Sequence, residues 1–437
     1  MTPPPADRTA SSPHPSTLLV LGSAHAAGHG EALPPPVPPA PHVPPLYQSV
    51  GYELTDLAAL EQAVAGTRHL YVRHGAPNEE AVAHTLAQLE ARGSDPARPV
   101  DATLLSPGIA AIEAAVMSVI DEARVQHRDR PPLLVMASPI YSASRTLFCT
   151  LANRGLLTLH ELEVPDTSAV AAIAAREPVS IIYCEVLTNP RLRVPDLPAL
   201  AALAKQHGAR LIVDATLATP LLCRPLAHGA DLVIHSATKY LGGHGDVCAG
   251  VVAGPPALID RVRAHRQLHG SVLDPFAAWL LQRSLRTLHV RLDRQVQNAR
   301  ALAQFLVERA EPLGIREVIY PGLPDHPDHA LAARLLDQPG AMLAFTLKTP
   351  EAARAAYERV RVLRRVASLG DVETLIMYPA ATWSRALSPK ELSRFGIAPG
   401  LLRISVGLED VRDLCADLQD ALSPPPPPAQ AKAQAKA

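Results

Sequence analysis

Cysteine is scarce in this 437-residue chain: there are five, at 149, 184, 223, 248 and 415, and no two form a C-x-x-C pair. An odd, low count fits reduced thiols in a cytosol rather than a disulfide framework. Each cysteine reads as a small buried hydrophobe. Charge of one sign is also lacking, with a net charge of -1 and a pI near 7.0. No basic excess exists to release counterions, which argues against nucleic acid as a main partner. No apolar run approaches about 18 residues, so no helix spanning a membrane is expected. Leu18-Leu-Val-Leu21 is too short, and too weakly preceded by positive charge, for a signal peptide. No internal repeat is evident. A localisation in the cytoplasm is the expectation.

Proline, by contrast, is abundant and unevenly placed. Pro34-Pro-Pro-Val-Pro-Pro-Ala-Pro41 and Pro424 to Pro428 cannot build helix or sheet ladders. Residues 1 to about 15 and 31 to 45 read as arm or linker, and 424 to 437 as a disordered tail. At 437 residues and 48% apolar, the chain between them can hold a large core and two domains.

Helix and strand patterns alternate from about residue 100. Ala102 to Leu105, Leu133 to Met136, Ser180 to Glu185, Arg210 to Asp214 and Leu232 to Ile234 are short apolar runs of buried-strand type. Before them, short helices are expected over Leu57 to Val64 and from about Asn78 to Ala91. Ser106-Pro-Gly-Ile109 opens a helix to about Val125, with Ser106 as cap and Pro107 at the first turn. Asp196 caps another helix, which Gly208 stops. Such alternation implies right-handed crossovers and a mostly parallel sheet covered on both faces. Ligands bind such sheets beyond the carboxyl ends of the strands. Tyr141, Glu185, Asn189, Asp214, Ser236 and Lys239 all fall at or just after those ends, which points to one shared cleft. A different pattern follows. A long, broken helix is expected from Asp274 to about Leu306, then an α+β unit with strands at Ala341 to Leu347 and Leu401 to Val406.

The densest chemistry lies in His235-Ser-Ala-Thr-Lys239-Tyr-Leu-Gly-Gly-His-Gly-Asp246. A buried strand delivers two hydroxyls, Ser236 and Thr238, and an amine, Lys239, into a glycine-rich turn. Hydroxyls suit a phosphate, and a desolvated lysine suits a carbonyl. The helix end at Gly108 and Ile109 offers free N–H groups for the same anion. Asp214 can hold a protonated ring nitrogen, and Tyr141 can stack on a flat ring. Arg403 lies mid-strand among apolar neighbours, so it calls for a carboxylate, either within the protein or on a substrate. Together these parts describe a pyridoxal 5'-phosphate (PLP) enzyme acting on an amino acid. His326-Pro-Asp-His329 reads as a polar turn, and no metal site is expected.

At these residues the chain resembles the Cys/Met-metabolism, or trans-sulfuration, family of PLP enzymes, over roughly residues 45 to 422. The lysine motif is the strongest match. Pro45-Leu-Tyr-Gln48, Tyr71-Val-Arg73, Thr188-Asn-Pro190, Val213-Asp214 and Gly400-Leu-Leu-Arg403-Ile-Ser-Val-Gly407 are also similar, in the family's order. The resemblance implies an α/β protein of PLP-dependent transferase fold type I, the aspartate aminotransferase-like architecture. Its divisions would be an arm over 1–80, a PLP-binding large domain with a mostly parallel sheet over 81–284, a smaller α+β domain over 285–423, and the tail over 424–437. It implies Lys239 as the Schiff-base lysine and proton shuttle. Tyr71 and Arg73 would reach the phosphate of a neighbouring subunit's cofactor, hence a homodimer with shared sites, paired into a tetramer. Asn189 would lie near the cofactor's phenolic oxygen. Tyr141 would stack on the ring and move protons at the leaving group, and Ser368 and Arg403 would hold the substrate carboxylate.

The reaction implied is elimination on a sulfur amino acid or homoserine derivative, giving a 2-oxo acid, ammonia and a thiol. The alternative is γ-replacement on an activated homoserine. A binding protein on the same fold would have lost Lys239, Asp214 or Arg403, and all three are present. Val366-Ala-Ser368-Leu-Gly-Asp-Val-Glu-Thr-Leu375 carries Ala367 where cystathionine-handling members often have glutamate. That stretch and Gly270-Ser-Val-Leu-Asp-Pro275 are more similar to the methionine γ-lyase branch. Ala143 stands where that branch has a cysteine. Ser106-Pro-Gly-Ile109, Tyr141-Ser-Ala-Ser144, Ala215 and Tyr378-Pro-Ala-Ala-Thr-Trp-Ser384 also depart from the usual motifs, several of them on the substrate side.

Overall fold

The computed structural model of the protein describes residues 14–21, 41–126, 130–137, 139–383 and 387–423. The proline runs at 34–40 and 424–428, residues 1–13 and 22–40 of the expected arm, the whole tail and Ser384 lie outside these residues.

Seven strands form the larger sheet: β1 (Asp101–Leu105), β2 (Leu133–Met136), β3 (Thr158–Glu161), β4 (Val179–Glu185), β5 (Arg210–Asp214), β6 (Leu232–Ser236) and β7 (Gly250–Gly254). Their spatial order is β1-β7-β6-β5-β4-β2-β3. β6, β5, β4, β2 and β3 pair in parallel, as expected. β7 is the exception and runs antiparallel to both β1 and β6. The sequence reading left β7 and β3 out. Along β4 the side chains alternate: Ile181 and Tyr183 join one apolar cluster, Ile182 and Cys184 the other. Both faces are therefore covered, and this is why the central strands read as unbroken apolar runs.

Helices Leu57–Val64 and Pro77–Glu90 lie close to where the spacing puts them. Asp196 caps Leu197–His207 by accepting from the Ala199 N–H, and Gly208 ends that helix at φ 68°. Ser106, however, is not a cap. Its hydroxyl donates to the Cys248 carbonyl at 2.8 Å, and the helix runs Gly108–Gln126. The Pro107 carbonyl accepts from the Ala110 and Ala111 N–H groups.

The broken helix resolves into Pro275–Leu285 and Leu288–Glu308. Five further strands form a second sheet: β8 (Ile315–Ile319), β9 (Met342–Leu347), β10 (Arg364–Arg365), β11 (Leu375–Met377) and β12 (Leu401–Ser405), in the order β10-β11-β12-β9-β8. No described helix is long and apolar enough to cross a membrane. The cysteine expectation needs one correction. All five are free, but only Cys184 and Cys223 are buried, and Cys248 is exposed.

Candidate active site

The carboxyl ends of β4, β5 and β6 open into a cavity of about 470 Å³. Gly108, Ile109, Tyr141, Glu185, Asn189, Asp214, Ser236, Thr238, Lys239, Ser368 and Arg403 all line it. The shared cleft read from strand ends is therefore present. Tyr71 and Arg73 do not line it. Both are exposed, with the Arg73 guanidinium 5.5 Å from the centre of the Tyr71 ring.

The seat at the start of helix Gly108–Gln126 is built by close approach. A Cβ on Gly108 would lie 2.7 Å from Ser236 Oγ and 2.9 Å from its Cβ. A Cβ on Gly250 would lie 2.8 Å from Gly108 Cα. Only glycine lets the first turn sit against β6 and β7. The first N–H groups of a helix have no partners within it, and they carry its partial positive charge. Thr238 closes the opposite side, its hydroxyl donating to the Ala249 carbonyl and accepting from the Ala249 N–H at 3.0 Å.

Lys239 Nζ donates to Ser368 Oγ at 2.9 Å. Burial, and then the nearby Arg403 charge, push its pKa below the ordinary 10.5. Asp214 and Glu185 are direct neighbours across β5 and β4. Two buried carboxyls side by side cannot both ionise easily, and burial raises the pKa of each. Glu185 is driven well above the carboxylate range. Asp214, which accepts the Thr216 N–H at 2.9 Å, is the member better fitted to keep its charge. Glu185 also accepts the Tyr141 N–H at 2.5 Å and so fixes the ring of Tyr141 at the cavity mouth.

Arg403 overturns one half of its expectation. It is 3% exposed, yet among the described residues it pairs with no carboxylate. Its guanidinium donates to Asn189 Oδ1 at 3.2 Å and to the Ser368 carbonyl at 2.6 Å, and Nε has no partner. Burial pulls its pKa down to about 10, so it still carries its charge at neutral pH. A desolvated cation held by neutral acceptors is a seat for an anion from outside.

A family model for Cys/Met metabolism PLP-dependent enzymes matches residues 37–423. The chain belongs to this family. It is a PLP-dependent enzyme, and its architecture is that of fold type I. L-methionine gamma-lyase from Pseudomonas putida is 36% identical over 406 residues, which is 90% of this chain and 93% of that protein. Cystathionine beta-lyase from Lactococcus lactis subsp. cremoris is 34% identical over 380 residues, 86% of this chain and 93% of the other. Cystathionine gamma synthase from Xanthomonas oryzae pv. oryzae, solved in complex with cystathionine, superposes with a TM-score of 0.82 at 32% identity, covering 94% of this chain and 98% of that one.

The residues fit the family's cofactor on their own geometry. An anion seat at a helix start, a buried acid beyond it and a half-buried amine opposite line one cavity large enough for a small ligand.

Several supports were not legible as site residues. Arg291 is buried in the first turn of helix Leu288–Glu308 and donates to the carbonyls of Tyr240 at 3.0 Å and Ser284 at 3.0 Å. It thereby holds the turn after Lys239. Gly243 sits at φ 72°, in the left-handed region that favours glycine, and a Cβ there would also press on the Arg291 guanidinium. Arg266 pairs with Glu79 in the interior and donates to the His74 carbonyl at 3.3 Å, anchoring the turn that carries Arg73. The signal for both was a charged residue on an apolar helical stripe. At His326-Pro-Asp-His329 the Asp328 carboxylate is taken by Arg193, at 2.5 Å and 3.1 Å.

Proposed function

We propose that this enzyme cleaves the γ-carbon–sulfur bond of an amino acid with a neutral thioether side chain, such as methionine, by elimination. One observation carries the choice of substrate. Among the described residues the cavity wall holds four ionisable side chains, Glu185, Asp214, Lys239 and Arg403, and the other lining side chains are neutral. Asp214, Lys239 and Arg403 serve the cofactor and the α-amino-acid end, and Glu185 is engaged by the Tyr141 N–H. Among the described residues none remains for a second charged head group on the substrate.

Bound in the cavity, PLP supplies an electron sink for charge left at Cα. The helix start at Gly108 and Ile109, with Ser236 and Thr238, would hold its phosphate. Asp214 would hold its ring nitrogen, Tyr141 would support the ring, and Asn189 would serve the phenolic oxygen. Arg403 and Ser368 hold the substrate carboxylate, which fixes which bond at Cα faces the amine. Lys239 would take the proton from Cα, pass it on, and, neutral again, take one from Cβ. The Cγ–S bond breaks, and the sulfur leaves with a proton supplied beside Tyr141. Water then replaces the nitrogen, so the products are a thiol, ammonia and a 2-oxo acid.

The working unit in this reading is a homodimer, with dimers paired into a tetramer. Support comes from Tyr71 and Arg73. They are exposed and away from this chain's cavity, as residues completing a neighbour's phosphate seat would be. The five free thiols suit a cytoplasmic setting.

Product analysis tests the reaction. Methionine, homocysteine, cystathionine and an O-acylhomoserine are each supplied with and without added thiol. Release of 2-oxo acid and ammonia from methionine supports elimination. A new thioether, without oxo acid, overturns it in favour of γ-replacement.

Two supporting results are expected. Gly108→Ala weakens cofactor retention by about 1–3 kcal/mol, because the new methyl overlaps Ser236. Dialysis followed by absorbance measures this, and wild-type retention would show that the seat lies elsewhere. In cofactor-free protein, a lowered pKa leaves more of Lys239 neutral at a given pH. Its acetylation by acetic anhydride, followed by mass spectrometry, therefore rises with pH and reaches half-maximum below 10.5. Arg403→Gln removes a neighbouring positive charge and moves that midpoint up. A midpoint at or above 10.5 in the wild type would refute the desolvated lysine.

A further inference from the structure

We propose that Trp383 is the specificity-determining wall that ends the substrate side-chain channel and keeps out substrates with a second charged head. This rests on the elimination reading above. The indole is buried, 7% exposed, at the end of helix Pro379–Trp383. It packs in the same apolar cluster as Leu387 and Phe395. The active-site cavity and a second, smaller pocket share three lining residues, Ser142, Asn189 and Trp383. Of these only Trp383 is large, so the indole is the bulk between them.

The two sides differ in chemistry. On the cavity side, the lining includes Thr382, Met377 and Leu369, and among the described residues no charge beyond the four already named. On the far side the walls carry Arg145, Glu161 and Arg191. Arg145 is paired with Glu161 at 2.6 Å, and Arg191 with Glu317 at 2.7 Å. A thioether methyl ends against the indole face, where dispersion and sulfur–aromatic contact favour it. A longer substrate tail with its own ammonium and carboxylate would be stopped in a neutral space, and its desolvation would go uncompensated. Without the indole, that tail would reach the paired charges of the second pocket.

The test compares methionine with cystathionine as substrates of the holoenzyme. Trp383→Ala raises the cystathionine-to-methionine ratio of kcat/KM by about tenfold or more. Trp383→Phe keeps a wall and leaves the ratio within about threefold. An unmoved ratio in a folded, cofactor-loaded Trp383→Ala protein overturns the proposal.

A second measurement does not depend on that variant folding. The chain has two tryptophans. Trp279→Phe therefore leaves Trp383 as the sole emitter. Norleucine has the length of methionine but no leaving group. It shifts Trp383 emission beyond the change given by alanine, which fills only the carboxylate and amine ends. Equal responses to the two amino acids overturn the wall. Absence of oxo acid from methionine in the wild type would instead refute the elimination reading, and the emission result would still decide where a side chain ends.

Discussion

Replacing Lys239 by alanine removes the visible absorbance of the bound cofactor and lowers turnover by at least about 10⁴-fold. No other amine among the described residues lines the cavity to take its place. Among the described residues Lys239 is the single lysine on the cavity wall, and the other nitrogen cation there, Arg403, is a poor base for this work. The fold itself does not depend on the amine. Its one hydrogen bond is to Ser368 Oγ, and burial opposes rather than favours its charge. Thermal stability of the cofactor-free variant therefore stays at or above that of the cofactor-free wild type. Loss of activity with a lowered melting temperature would indicate a structural role. An unchanged absorbance spectrum would refute Lys239 as the residue that carries the cofactor.

Local rules captured most of what places that lysine. The runs ending at Glu185, Asp214 and Ser236 are strands because both faces of the sheet are buried, which leaves no polar alternation to confuse the reading. β3 was missed for the opposite reason. It is a four-residue edge strand, Thr-Leu-His-Glu, half open to solvent, and carries neither an apolar run nor a clean alternation. β7 is bracketed by Gly250 and Gly254, and glycine weakens a strand pattern in one dimension. Both serve close packing instead: a Cβ on Gly250 would meet Gly108, and one on Gly254 would lie 2.7 Å from the Asp231 carbonyl.

Ser106 was misread as a cap because cap chemistry and a carbonyl partner across the sheet look alike in one dimension. The cleft was foreseen from strand ends. Its electrostatics were not, since Glu185 and Asp214 are 29 positions apart in sequence and neighbours only through strand pairing. The buried arginines at 266 and 291 were visible only as oddities on apolar helical stripes. What they hold could be known only once the turns after Arg73 and Lys239 were in place.

Arg403 raises a prediction with a comparable effect. A mid-strand arginine was expected to need a carboxylate, and the structure supplies none among the described residues. Its two neutral acceptors compensate only part of the cost of burying the charge, and Nε remains unpartnered. Such a site is preorganised for a carboxylate that arrives with the substrate. Arg403→Ala is therefore expected to lower kcat/KM by about 2–5 kcal/mol, chiefly through KM. Arg403→Lys does not restore it, because a point charge on a flexible stem cannot reproduce the planar fork that now reaches Asn189 and Ser368 together.

A purely structural arginine predicts something else. It would disturb Ser368 and Asn189, lower kcat and KM effects alike, and weaken every ligand equally. The discriminating ligand is the amine obtained by removing the carboxylate from methionine, 3-(methylthio)propylamine. Wild type and Arg403→Ala should bind it with the same affinity, while only the wild type gains from restoring the carboxylate. Equal losses for the amine and the amino acid would assign Arg403 to the scaffold and leave the substrate carboxylate to another donor.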